Sequence, residues 1–234
     1  MSDQEIIQRI NQCRVDLSDI GPYIHLDELL LWGTLSNRKR NERLGLIDFA
    51  FDVLRNRACT HVEIRACLWT WLQGLVIVDD SDDVRELEPI NGFVDRGGIE
   101  LAARELIYSD DRSSDTALLS ALAWCSMNPA HTPRIISTGV HKLAISYIDS
   151  RNWEVLDISM ALLRGLCARR GRTRKILRAD GAQSVVIPML VDLNATNDDI
   201  RLRRSFRAAS TVARLAENDE SGKKNELLNF RRPH

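Results

Sequence analysis

The chain has 234 residues, 44% of them hydrophobic and 28% charged, with a net charge of −1. That balance fits an ordinary soluble chain with one sizeable core or a short repeat array, and it excludes a global field that would recruit nucleic acid or membrane. The charge is unevenly spread: residues 151–234 hold 17 Lys+Arg against 10 Asp+Glu, and residues 1–150 hold 15 against 23, so a charged partner can orient the molecule before contact.

The chain opens on a polar, acidic stretch, MSDQEIIQRINQ, which is neither a signal nor a transit peptide. Ser2 and Glu5 stand at capping-box spacing and predict a helix start. "LDELLLWGTL" predicts a short apolar helix, too short and too acidic to span a membrane. In "ERLGLIDFAFDVL", Leu44, Ile47, Phe51 and Leu54 recur at helical spacing. "VEIRACLWTWLQGLVIV" is apolar nearly all round, as a helix sandwiched between neighbours must be. An acidic connector, "VDDSDDVRELEP" over 78–89, follows; it reads as a solvated loop, and it lacks the glycine and closing glutamate of a calcium loop.

From there the sequence repeats. Gly98, Gly139 and Gly181 are 41 and 42 residues apart, each after a short segment and before an amphipathic helix. Each unit closes on a longer helix: "DTALLSALAWCS", "EVLDISMALLRGLCA" and "RRSFRAASTVARLA". Leu156, Ser159, Leu163 and Leu166 form the stripe such a helix buries against its neighbours. The glycine serves a sharp turn between the first and second helices, often with positive φ. Pro188 lies inside "AQSVVIPMLVDL" and should kink that helix. The array is expected to end near Ala216, with "ENDESGKK" as an exit tail. The expected fold is therefore all-α: an armadillo-like right-handed helical solenoid of about three to four repeats over 39–216, with an N-terminal helical cap over 1–38 and a tail over 217–234.

Little points to catalysis. The five histidines sit in unrelated contexts, no nucleophile or phosphate-loop motif occurs, and Cys13, Cys59, Cys67, Cys125 and Cys167 show no CxxC and no zinc spacing. They read as apolar free thiols, and we expect a cytoplasmic protein with no catalytic, metal or cofactor site. The five tryptophans read as packing residues. The basic run "ARRGRTRKILR" reads as a solvated inter-repeat loop or a contact for an acidic protein; nucleic-acid binding is disfavoured because no aromatic interleaves the cations.

The order of segments resembles the armadillo-like nucleotide-exchange factors of DnaK-type (heat-shock seventy) chaperones. The family's "LLxW" helix corresponds to "LLLWGTLSN", Leu29 to Asn37; its "LVxxxDxAxxL" ending to "WLQGLVIVDDSDDVREL" before Gly97-Gly98. "GTxxQNNP…GAL" corresponds to "AWCSMNPAHTPRIISTGV", with Met127 in place of the glutamine; "LxxDG" to "KILRADGAQSV"; and "KxxxKAAFLLxxL" to "RLRRSFRAASTVARL". The resemblance spans about residues 26–216. It implies a non-enzymatic clamp whose concave face grips the second lobe of the chaperone's ATPase domain and favours the lobe geometry that releases ADP. The residues expected to carry such contacts are Gln73, Trp124, Asn128, Arg164, Arg169, Arg207 and Arg214, arginine being favoured for bidentate contacts to carboxylates. The clamp is expected to be a monomer outside its complex.

Two other readings stand beside it. One is a structural adaptor within a larger assembly, favoured by Met127 and by a single helix where the family often has a long flexible tail. The other is capture of an extended peptide, suggested by Trp124 followed four residues later by Asn128. That pair does not recur: the matching positions are Leu166 with Arg170 and Arg214 with Asn218. Asn128 also precedes Pro129, which disfavours helical geometry there and predicts a position at the helix's last turn or cap.

Overall fold

A computed structural model describes residues 3–29, 35–56, 59, 61–77, 88–110, 112–168, 171–191 and 199–216. Every regular element among them is helical. The N-terminal part holds α1 (Asp3–Val15) and α2 (Gly21–Leu29). Four units follow, three of them with three α-helices and the last with its second helix broken in two. The first is α3 (Leu35–Arg43), α4 (Leu46–Arg55) and α5 (Val62–Val76); the second is α6 (Glu88–Asp95), α7 (Gly98–Tyr108) and α8 (Asp115–Ser126). The third is α9 (Thr132–Thr138), α10 (Val140–Ser146) and α11 (Trp153–Ala168), with a single 3-10 turn at Tyr147–Asp149. The fourth is α12 (Arg172–Ala179), α13 (Ala182–Val186), α14 (Pro188–Val191) and α15 (Asp199–Ala216).

The glycines mark the units, with one shift from the sequence expectation. The left-handed residue of the second unit is Gly97, at φ 78°, and not Gly98; Gly139 and Gly181 are left-handed as expected. Gly98 is the first residue of α7 and is needed for space: a Cβ there would lie 2.5 Å from the Phe93 ring. A further junction escaped the periodicity. Gly45, at φ 80°, divides the segment carrying Leu44, Ile47, Phe51 and Leu54 into α3 and α4. Its unit has the same plan, but a 52-residue gap from Gly45 to Gly97 hides it from a 41- to 42-residue period. Pro188 acts as expected: the helix ends at Val186, and α14 restarts at the proline.

Successive third helices pack on one another in the order α5, α8, α11, α15, and the core runs continuously through them. Leu156, Ser159, Leu163 and Leu166 are all buried on α11. The closest approach is at Gly165, where a Cβ would lie 1.9 Å from Ser126 Oγ on α8. At the N-terminal end, Tyr23 of α2 stacks between Phe49 of α4 and Trp71 of α5, with centroids 6.1 and 6.2 Å away, and its hydroxyl donates to Cys13 O at 3.0 Å. These rings seal the first unit with α1 and α2. Among the described residues, no helix is long and apolar enough to cross a membrane.

Candidate protein-binding surface

The side of the third helices turned away from the core forms one face across the units. Its residues follow helical spacing in antiphase to the buried set. On α5 they are Ala66, Thr70, Gln73 and Gly74; on α8, Thr116 and Trp124; on α11, Asp157, Ala161 and Arg164. Most are small or polar. Thr70 bonds back to Ala66 O at 3.0 Å, and Ser126 bonds back to Ala123 O at 2.6 Å, which keeps those hydroxyls on their own helices.

Arginine does much of its work here inside the molecule. Helix C-termini leave carbonyls without partners and carry a partial negative charge. Arg174 is buried, and its Nε donates to Cys167 O at the end of α11, at 2.8 Å. Arg178 Nη1 donates to Leu215 O at the end of α15, at 2.8 Å, and Arg214 Nη1 reaches from α15 to Arg164 O on α11, at 3.0 Å. The basic run is thus not simply a solvated loop: residues 172–179 form α12, and two of its arginines cap third helices. A helix signal was present in the sequence, since Thr173, Arg174 and Leu177 share the buried face of α12.

Ion pairs join each unit to the next beside the left-handed glycines. Asp48 of α4 takes a fork from Arg96, at 2.5 and 3.3 Å, and Glu100 of α7 takes one from Arg134 of α9, the second contact at 2.8 Å. Arg55 also donates to Arg96 O. At the third junction the polarity is reversed: buried His141 of α10 has Nε2 2.8 Å from Asp180 Oδ2, with Lys142 Nζ 3.8 Å from Oδ1. Hydrogen bonding from Arg96 holds Asp48 below its ordinary carboxylate value. Burial pushes Glu100 up, but the bonds from Arg134 and the backbone outweigh it and leave the carboxyl lowered. Burial pushes the Cys13 thiol up to about 11 and those of Cys125 and Cys167 up to about 12, so these three are inert packing groups at neutral pH.

The residues singled out from the sequence fall in different settings. Gln73 and Arg164 are half-buried on the face, and Trp124 is half-buried there with its body against the core. Arg214 is half-buried and joined to the backbone of Arg164. Asn128 lies two residues beyond α8. Its Oδ1 accepts from Ala130 N at 3.0 Å, and its Nδ2 is 3.3 Å from His131 Nε2. Burial, with help from Arg134, keeps the His131 pKa low, so the neutral ring can accept that amide. Asn128 therefore closes the turn after α8, as the following proline predicts. Arg169, Trp32, most of "LLLWGTLSN", Ser2 of the capping box, residues 78–87 of the 78–89 acidic connector and the tail over 217–234 lie outside the described residues, as does the side chain of Arg207; Glu88 and Pro89, expected in that connector, instead open α6. Among the described residues no group of three or more His, Cys, Asp or Glu side chains is placed to hold a metal ion.

Tyr108, which ends α7, carried no sequence signal, and Trp153, which opens α11, was expected to pack; both are exposed, as is Met127 after α8. A lone apolar residue at a helix end looks the same whether it packs inward or faces solvent.

No protein-family model matches the sequence, and no curated protein matches it. Solved structures match its fold. An engineered protein from the Northeast Structural Genomics Consortium superposes with a TM-score of 0.72 at 17% identity, over 91% of this chain and 48% of that one. Computationally designed armadillo repeat proteins for modular peptide recognition give 0.70 at 13% identity, over 91% of this chain and 82% of that one. A designed armadillo repeat protein in complex with the peptide (KR)4 gives 0.53 at 13% identity, over 91% of this chain and all of that one. The fold is an armadillo-like solenoid. The chain spans about half the length of the first of these proteins.

Proposed function

We propose that the protein is a non-enzymatic interaction scaffold that grips the surface of a folded protein partner along its third-helix face. The observation that carries this reading is the face itself. It runs over successive units, is largely polar, and is fixed by the α8–α11 approach at Gly165 and the Arg214-to-α11 bond. A preformed surface loses little freedom on binding. Solenoid repeats present such extended surfaces as a rule, and the designed armadillo proteins of the same fold were made for peptide recognition or hold a peptide. An asparagine ladder for an extended peptide receives no support, since Asn128 is turned to its own backbone and His131.

The specific form we favour is a clamp on the ATPase domain of a DnaK-type chaperone that promotes ADP release. The ordered resemblance over about residues 26–216 supports it, and so does a rigid face that needs no catalytic group to bind one lobe geometry better than another. The test loads such a chaperone with fluorescent ADP and adds this protein with excess ATP. Faster release is expected, and release at the spontaneous rate would overturn the clamp.

A structural adaptor is the second reading. It draws on Met127, 53% exposed where the resembling family has glutamine. Co-purification with one stoichiometric non-chaperone subunit, without any effect on ADP release, would favour it.

A further inference from the structure

The loops between second and third helices form an edge of the solenoid, and in three successive units that edge carries a large apolar side chain facing solvent. Val62 is 40% exposed, Tyr108 80% and Trp153 50%. An exposed carboxylate stands close in sequence to each: Glu63, Asp110 and Glu154. The edge is continuous between units 2 and 3, because the Tyr147 hydroxyl donates to Asp115 Oδ2 at 2.5 Å and accepts from Arg112 Nη1 at 3.2 Å. Arg112 also donates to Leu106 O at 2.9 Å, with half of its side chain left exposed.

The two aromatics have no comparable internal task. Tyr23 and Tyr147 use their hydroxyls inside the molecule, at Cys13 O and Asp115; Tyr108 and Trp153 present their rings to water. An exposed ring beside a carboxylate suits one class of side chain. The ring face attracts a cation, and the carboxylate takes its hydrogen bonds. Tyrosine and tryptophan are also the residues that most often anchor protein contacts. Glu63 and Glu154 additionally offset the partial positive charge of their helix N-termini, whereas Asp110 lies in a loop ahead of any helix end.

We infer that the edge of units 1 to 3 is a second docking surface, separate from the third-helix face, for a Lys- or Arg-bearing segment of a protein partner. The basic side chains lie across Tyr108 and Trp153, with their head groups at Asp110 and Glu154.

The test is fluorescence anisotropy of the whole chain with a fluorescein-labelled octapeptide of alternating Lys and Arg at physiological ionic strength. Saturable binding is expected, and Tyr108→Ala with Trp153→Ala weakens it about tenfold, as loss of two anchors should. Circular dichroism and melting stay unchanged in that variant, and Tyr108→Phe with Trp153→Phe retains binding. Gln73→Ala with Arg164→Ala, on the third-helix face, leaves it intact. Absence of saturable binding would overturn the inference. So would equal binding of an alternating Asp/Glu peptide, or a loss as large from the third-helix variant as from the edge variant. The ADP-release assay reads the other face, so the two proposals fail separately.

Discussion

The first two unit junctions and the third do the same task with different chemistry. Units 1 and 2, and units 2 and 3, are joined by arginine forks onto half-exposed carboxylates, Arg96 on Asp48 and Arg134 on Glu100. Units 3 and 4 are joined by a buried imidazole on Asp180, and arginine there serves helix ends instead. The comparison shows that the excess of basic residues near the C-terminus is in part structural. Arginines that look available in the sequence are bound to carbonyls in the fold. It also predicts unequal energetics, because exposed pairs contribute little while buried polar groups are costly to orphan.

The largest effect is expected where the two regions meet. Gly165→Ala forces α8 and α11 apart against Ser126 and should cost about 3 kcal/mol by overpacking; urea unfolding measures it, and wild-type stability would show that the helices are not held this closely. Next is Arg174→Ala, which orphans Cys167 O and should cost about 2 kcal/mol. Hydrogen exchange should then show the end of α11 and unit 4 opening before units 1 to 3. Asp180→Ala removes the partner of buried His141 Nε2 and should cost about 1.5 kcal/mol. Asp48→Asn, at the exposed first junction, should cost only about 0.5 kcal/mol, and less in high salt. Equal losses from Asp180→Ala and Asp48→Asn would erase the distinction between the junctions.

Acid should separate them too. Asp48 and Glu100 both have lowered pKa values in the folded chain. A lowered carboxyl contributes stability that is complete above its unfolded value and is lost as pH falls through its folded one. Unfolding midpoints should therefore stay flat above about pH 5 and decline below about pH 4. Asp48→Asn should reduce the decline slightly, and an unchanged slope would show that the Arg96 fork contributes nothing.

Much of the architecture could be read from the chain because it depends on local chemistry. Glycine spacing marked three of the four units, and the proline broke its helix where expected. Gly45 was missed because 52 residues, and not 41 or 42, separate it from Gly97. Gly97 and Gly98 could not be told apart, since either glycine can adopt positive φ and only the Phe93 ring beneath Gly98 assigns their roles. The candidate surface was less legible. Gln73, Trp124 and Arg164 share the third-helix face, while Asn128 and Arg214 are engaged within the chain.

The helices, the repeat and most of the buried stripes were legible in the chain, because periodicity, glycine φ and proline act over a few residues. Tertiary structure decided the use of the charges. Whether an arginine caps a helix, forks onto the next unit or faces a partner depends on which carbonyl or carboxylate stands within about 3 Å of it, and the residues that meet lie 7 positions apart for Arg174 and 50 for Arg214. Exposure of Tyr108 and Trp153 was settled in the same way, by what the neighbouring units cover and what they leave open.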